Sequence, residues 1–448
     1  MTVSISDTSA VPSSSSKRQL EVIIAIFLVF SLNYYAYVYF YPFNEGISAA
    51  PGAVKAIKDF AYLALFGIVA WKITLRSAAN DQFVFVPLGV ALVLTSLIHS
   101  SHTGIVPQLW ENIKNIVIFI PVYMVMFHLT ENQRDRLTRL FFWILIVVAA
   151  LQTIFSAIYI GSGNLLWVDG SYVGFIANPN SFALVVNLAI CALFVVLRSA
   201  PRPLLIVYLL VLALLAKSLL ESRSHSQIAI LVFLMAYGVL FHLRYWQRYA
   251  LAVAVVAGVF VWQADLVRDT IDLYAPLVPE VIPPLAPPAT APAAPGGVVV
   301  AVPPPLTDSV TLRVKNFMDA IGVLFKGPVN AILGDFGTPR FIPMDGQFWV
   351  FLFNGGLLTM LAFVFGCAFV YLKSLLHIWR DPGDDKAIAL NMMLVVFGIT
   401  FIASRILMYF PLNFIFFMVC GLAIARMKAR QKSSGRQGLM AAASTVKT

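Results

Sequence analysis

The chain has 448 residues, 60% of them apolar and only 12% charged, with a formal net charge of +10. A mean hydropathy of +0.85 is more than a water-soluble domain of this length can cover with polar groups, so a soluble fold is excluded. The cations cluster between long apolar runs, where the positive-inside rule accounts for most of them, and no nucleic-acid partner is expected.

Residues 1–16 are rich in Ser and Thr, and Lys17 and Arg18 follow. The apolar run that begins at Leu20 continues past Tyr41, too long for a cleaved signal core. It is expected to be a retained first helix behind a disordered cytoplasmic segment, 1–19. A span needs roughly 20 apolar residues, with shorter ones tolerated inside a bundle. On that rule spans are expected near 20–41, 58–75, 83–100, 110–128, 140–160, 178–197, 203–220, 226–243 and 249–265. Three more are expected near 346–371, 387–404 and 408–425. The expected fold is an all-α polytopic membrane protein of about twelve transmembrane helices. Spans 1–9 occupy 20–265, spans 10–12 occupy 346–425, and 426–448 is a basic cytoplasmic tail. One large loop, 266–345, separates spans 9 and 10 on the side away from the cytoplasm.

Alternating orientation places 20 of the 31 Lys and Arg, and both termini, on the cytoplasmic side. Arg223, Arg313, Arg340 and Arg405 are among those left outside, where topology has no need of cations. The runs 203–220, with Lys217, and 408–425, with Pro411 and Asn413, are the weakest spans. Cys191, Cys367 and Cys420 lie inside apolar runs without ligand spacing and read as small core residues. His99 and His102 likewise lack ligand spacing, and no metal or other cofactor is expected.

The loop has two parts. From 276 to 305 it is dense in Pro, Ala and Val, which favours an extended tether over a domain. From 307 to 345 a partly helical cap is expected. Val310, Val314, Phe317, Ile321 and Leu324 recur there at helical spacing, opposite Arg313, Asn316 and Asp319, with Asp308 as N-cap. Such an amphipathic helix lies on a membrane surface or closes a cavity.

Four local patterns then stand in order on the outer ends of spans: GFIANPNSFA, LLESRSHS, SVTLR and MDGQFWVFLFNGGLL. Over about residues 170–425 the chain resembles the O-antigen polymerase and O-antigen ligase superfamily of bacterial inner-membrane proteins. Asp345 stands where the ligase branch has His, Gly346 at the small polar place, Gly356 at the first Gly and Thr359 at the second. That substitution favours the polymerase branch. The resemblance implies a GT-C-like fold and a metal-independent glycosyltransferase of the inner membrane. Its donor would be a polyprenyl-diphosphate-linked oligosaccharide on the outer leaflet, its product O-antigen, capsule or exopolysaccharide. A chain-length regulator and a flippase would be pathway partners, alongside membrane lipid.

Such a transfer breaks a bond from sugar C1 to a diphosphate that is already a good leaving group. It needs cations and positioning more than a strong nucleophile. Arginine binds phosphate oxygens through a planar fork and stays charged when partly buried. Arg223, Arg313 and Arg405 are therefore the clamp candidates, with Arg340 nearby in sequence. The bland alternative is an interfacial arginine that snorkels or pairs with Glu221 or Asp319. Asp345 can orient or deprotonate the attacking hydroxyl, or simply cap the tenth span. Asn178 and Asn180 can contact sugar or cap the sixth span, with Pro179 in its first turn. His225, beside Arg223, is a further candidate base. Two rival functions remain: a ligase that transfers glycan to lipid A-core, and a transporter or flippase. The second would favour related halves and mid-span ionisable sites, and neither is visible.

Overall fold

The computed structural model describes residues 14–39, 52–74, 80–103, 112–163, 170–176, 178–242, 246–268, 308–335 and 346–427. The expected tether, 276–305, and most of the expected cytoplasmic ends lie outside the described residues. Among the described residues every regular element is helical and no strand occurs.

The elements run α1 (Ser14–Leu32), α2 (Gly52–Thr74), α3 (Val86–Thr103), an irregular α4 (Asn112–His128) and α5 (Glu131–Gly161). Then come α6 (Pro179–Ser199), α7 (Arg202–Glu221), α8 (His225–His242) and α9 (Trp246–Trp262). After the loop follow α10 (Asp308–Phe325), α11 (Pro328–Leu333), α12 (Gln347–Arg380), α13 (Asp385–Ala403) and α14 (Leu412–Met427). Among the described residues, seven helical segments are long and apolar enough to cross a membrane, and α4, α9, α14 and His225–Val239 of α8 are shorter apolar helices. The chain is an all-helical membrane protein. The expected second span, 58–75, lies on α2, which is not among the seven.

The solvent of the bundle can be read from its surface. Ile206 and Leu210 on α7 are 66% and 65% exposed, and Phe365 on α12 is 61% exposed. In water these stripes would be a large aggregating patch; against acyl chains they cost nothing. The interior is built around α6, whose apolar window is 89% buried and which packs on α5, α7, α8, α9 and α13. α14 is equally enclosed, and its Phe416 meets Phe363, Phe397 and Phe401 ring against ring. Local sequence sets the helix starts. Thr130 and Gln133 form a reciprocal capping box on α5. Asn178 accepts from the Ser181 amide, with Pro179 in the first turn of α6.

Several features of the helices differ from expectation. α12 does not stop near 371 but runs to Arg380, and it breaks at Gly356, whose φ of 63° and ψ of −168° are non-helical. The last helix begins at Leu412, after a 3₁₀ turn (Ile406–Met408) and a cis Phe410–Pro411 bond, so Pro411 lies outside it. The loop helix forms where expected, as α10, but its packing face is rotated. Asn316, Ala320 and Val323 are the buried positions, whereas Phe317 and Met318 remain exposed. The periodicity located the helix; the small side chain of Ala320, which lets α10 lie close to α12, decided which face docks.

Candidate functional site

A chain of hydrogen bonds gathers the starts of α6, α8 and α12 and the end of α13 at one end of the bundle. Ser224 Oγ, just before α8, donates to Asn180 Oδ1 on the first turn of α6 at 2.5 Å. One turn deeper, the Asn187 amide donates to the Gln227 backbone and side-chain oxygens at 3.0 and 2.9 Å. Gln227 Nε2 in turn donates to Thr400 Oγ1 at 2.9 Å. These three residues are fully buried. Shortly after Thr400 comes the turn at Arg405, and its Leu407 amide donates to Gln347 Oε1 at 3.0 Å. Gln347 is the first residue of α12.

Arg223 and Arg405 both lie at this end. Arg223 sits between α7 and α8 with φ 52°, left-handed for a residue that is not glycine. Such a conformation costs on the order of 1–3 kcal/mol and persists where surroundings enforce it. Here the enforcing contacts are the Arg223 amide to Leu220 O at 2.9 Å and the Tyr172 amide to Glu221 O at 3.0 Å. The turn leaves the Arg223 side chain exposed. Arg405 is half-buried, with Nε donating to Tyr409 Oη at 3.2 Å and its guanidinium 5.5 Å over that ring. Among the described residues, neither arginine has a carboxylate within salt-bridge distance. The pairing of Arg223 with Glu221 that the sequence leaves open is therefore absent.

The loop elements close on the same end. Phe317 of α10 meets Trp349 of α12 edge to face at 4.7 Å. α11 lies on the break in α12: a Cβ added to Gly356 would come within 2.3 Å of the Ile332 backbone. The Asp335 amide donates to Phe353 O at 2.8 Å, and Lys326 pairs with Asp335 at 2.8 Å. His99 of α3 lies 3.1 Å from the Leu333 carbonyl, a hydrogen-bond role the sequence did not suggest.

The other expected residues fall out as follows. Asn178 caps α6, Asn180 holds Ser224, and His225 is the first residue of α8. Arg313 is on α10, with its side chain outside the described residues, as are Arg340 and Asp345. Lys217, which made 203–220 a weak span, lies 5.4 Å over the Trp262 ring, a cation–π contact that explains its tolerance. Beneath the polar end, an apolar cleft of about 360 Å³ runs between α8, α12, α13 and α14. Phe348, Phe401, Cys367 and Cys420 are among its walls.

No protein-family model matches the chain, and no curated protein matches it. What the site can do must therefore come from its residues. They are an exposed and a half-buried guanidinium group, buried neutral amides and an apolar cleft below.

Sequence reading missed a second cluster at the opposite end. Asn180 and Arg198 stand about 27 Å apart along α6 at 1.5 Å per residue. Arg198 pairs with Asp385 at 2.8 Å, and Lys386 with Asp135 at 2.9 Å. Arg426 bridges Asp135 and Asp384, the latter at 2.6 Å, and His377 Nε2 lies 3.4 Å from Asp384. His377, Asp381 and Asp384 bring ligand-type atoms within 4.8 Å of one another. The Arg426 guanidinium on the same Asp384 oxygen already supplies the positive charge there.

Proposed function

We propose that the chain is a polysaccharide polymerase of the bacterial inner membrane, with about twelve spans, both termini cytoplasmic and the α10–α11 loop periplasmic. It transfers glycan from a polyprenyl-diphosphate donor to a sugar hydroxyl of a lipid-linked acceptor. The observation that carries the reading is the pair of arginines, Arg223 and Arg405, at one end of the bundle without carboxylate partners among the described residues. The apolar cleft beneath them supports a ligand with a long hydrocarbon tail.

In this mechanism the acceptor hydroxyl attacks C1, the C1–O bond to phosphate breaks, and its electron pair leaves on the diphosphate. Arg223, Arg405 and Arg313 stabilise that charge, which needs no reorganisation if the groups are already in place. The hydroxyl proton passes to Asp345 late in the transition state, since an ordinary carboxylate is a weak base for an alcohol. Asn180 fixes the Ser224 turn that carries Arg223.

A deletion strain tests the reading. Single repeat units with loss of long chains are expected. Intact polymer that stays on the polyprenyl carrier would instead mark a ligase. Accumulation of single units at the cytoplasmic face would mark a flippase, and unaltered surface glycan would end the proposal.

A further inference from the structure

Gln347 is completely buried, yet its side-chain Nε2 has no hydrogen-bond partner among the described residues. Its orientation is not ambiguous. The Leu407 amide is a donor, so the atom 3.0 Å from it must be the side-chain oxygen, and the NH₂ group takes the other position. The residue is also held from behind. Gly346 before it has φ 91°, and a Cβ there would lie 2.6 Å from the Ile402 carbonyl. The start of α12 is thus pressed against the end of α13 and the turn that begins with Arg405. An enclosed donor without an acceptor is costly unless something else supplies the lone pair.

We propose that Gln347 binds ligand directly: its Nε2 donates to a phosphate oxygen of the lipid-linked diphosphate held at the Arg405 turn. Phosphate oxygens accept hydrogen bonds and offer no competing proton, which suits a donor-only group braced against the turn that begins with Arg405. The inference rests on the diphosphate reading above and adds a neutral recognition group to its arginines. The side chain has two separable duties, an acceptor that braces Leu407 and a donor that meets the ligand.

Two substitutions separate them. Gln347→Glu keeps an oxygen for Leu407 but removes the NH₂ and adds charge. Gln347→Met removes both hydrogen bonds and stays neutral. The full-length protein is purified in detergent, and inorganic diphosphate is titrated while the melting temperature is followed for parent, Q347E, Q347M and R405A. Each shift is read against that variant's own melting point, so a destabilised protein still reports. Diphosphate is expected to stabilise the parent, with apparent affinity falling at least about tenfold in Q347E and in Q347M. Loss in Q347E alone would mark electrostatic repulsion, and loss in Q347M alone would mark a brace. Either result overturns the proposal, as does parent-like affinity in both. No shift in the parent counts against the diphosphate cradle itself, whereas a shift lost in R405A and kept in both Gln347 variants sinks only the role of Gln347.

Discussion

Arg223 shows what one residue can carry. It is exposed, has no ion pair among the described residues and sits at φ 52°. Its side chain therefore contributes little to stability, and its backbone conformation is better suited to glycine. Arg223→Ala should change stability by no more than about 0.5 kcal/mol, as exposed substitutions do. Arg223→Gly should be no less stable than Arg223→Ala, because glycine enters the left-handed region freely. Both should abolish long-chain polymer when they replace the parent gene, with membrane levels unchanged. Normal chain length in either would remove Arg223 from the clamp. The sequence pointed to this residue through charge placement, a cation where the expected topology did not call for one, and through the LLESRSHS pattern. It gave no sign of the left-handed turn, since ESRS carries no glycine to mark it. Gln347 was passed over for the opposite reason. Two residues after Asp345, an uncharged amide gives no electrostatic signal, and only burial and the Leu407 contact reveal it.

At the scale of elements, hydrophobic runs located the helices well because lipid imposes length and apolarity on every span. They did not locate breaks. FNGGLL reads as a continuous apolar stretch with two glycines, and the helix-interior cost of glycine is only about 1 kcal/mol. In the structure Gly356 is a joint: it admits a non-helical backbone and leaves room for α11, which no side chain would. The rotated face of α10 has a similar origin, since periodicity counts apolar residues and close approach to α12 rewards a small one. Gly356→Ala tests the joint. The backbone strain alone should cost about 1–3 kcal/mol, and the Ile332 contact adds to it. The expected outcome is an α10–α11 cap that opens to limited proteolysis while the spans stay resistant. A cap as protected as in the parent would show that α11 does not depend on the break.

For the molecule as a whole, the clustering of cations between apolar runs was legible in the sequence and their partners were not. Arg198, Lys386 and Arg426 were counted as topology signals, yet each is paired with an aspartate at the same end of the bundle. Those pairs bring the start of α5 together with the start of α13 and the end of α14, segments far apart in sequence that no local pattern connects. Asp384 is the most enclosed member, with its side chain 1% exposed against 12% for Arg426. Burial would raise its carboxyl. The His377 hydrogen bond and the Arg426 guanidinium outweigh that and hold it down to about 2. An isolated Asp titrates near 3.9, so the folded-state value is depressed. The stabilisation is accordingly complete above about pH 4–5 and fades as pH falls toward 2. Asp384→Asn keeps the shape and the cap on the Ala387 amide while removing the charge that faces Arg426. Since Arg426 retains Asp135, the cost should sit at the low end for a broken buried pair, about 3 kcal/mol. Thermal unfolding in detergent from pH 8 to pH 2 checks this. The parent should lose stability relative to Asp384→Asn only in the acid window, and a constant gap across that window would show that this carboxylate does not tie these helix ends together.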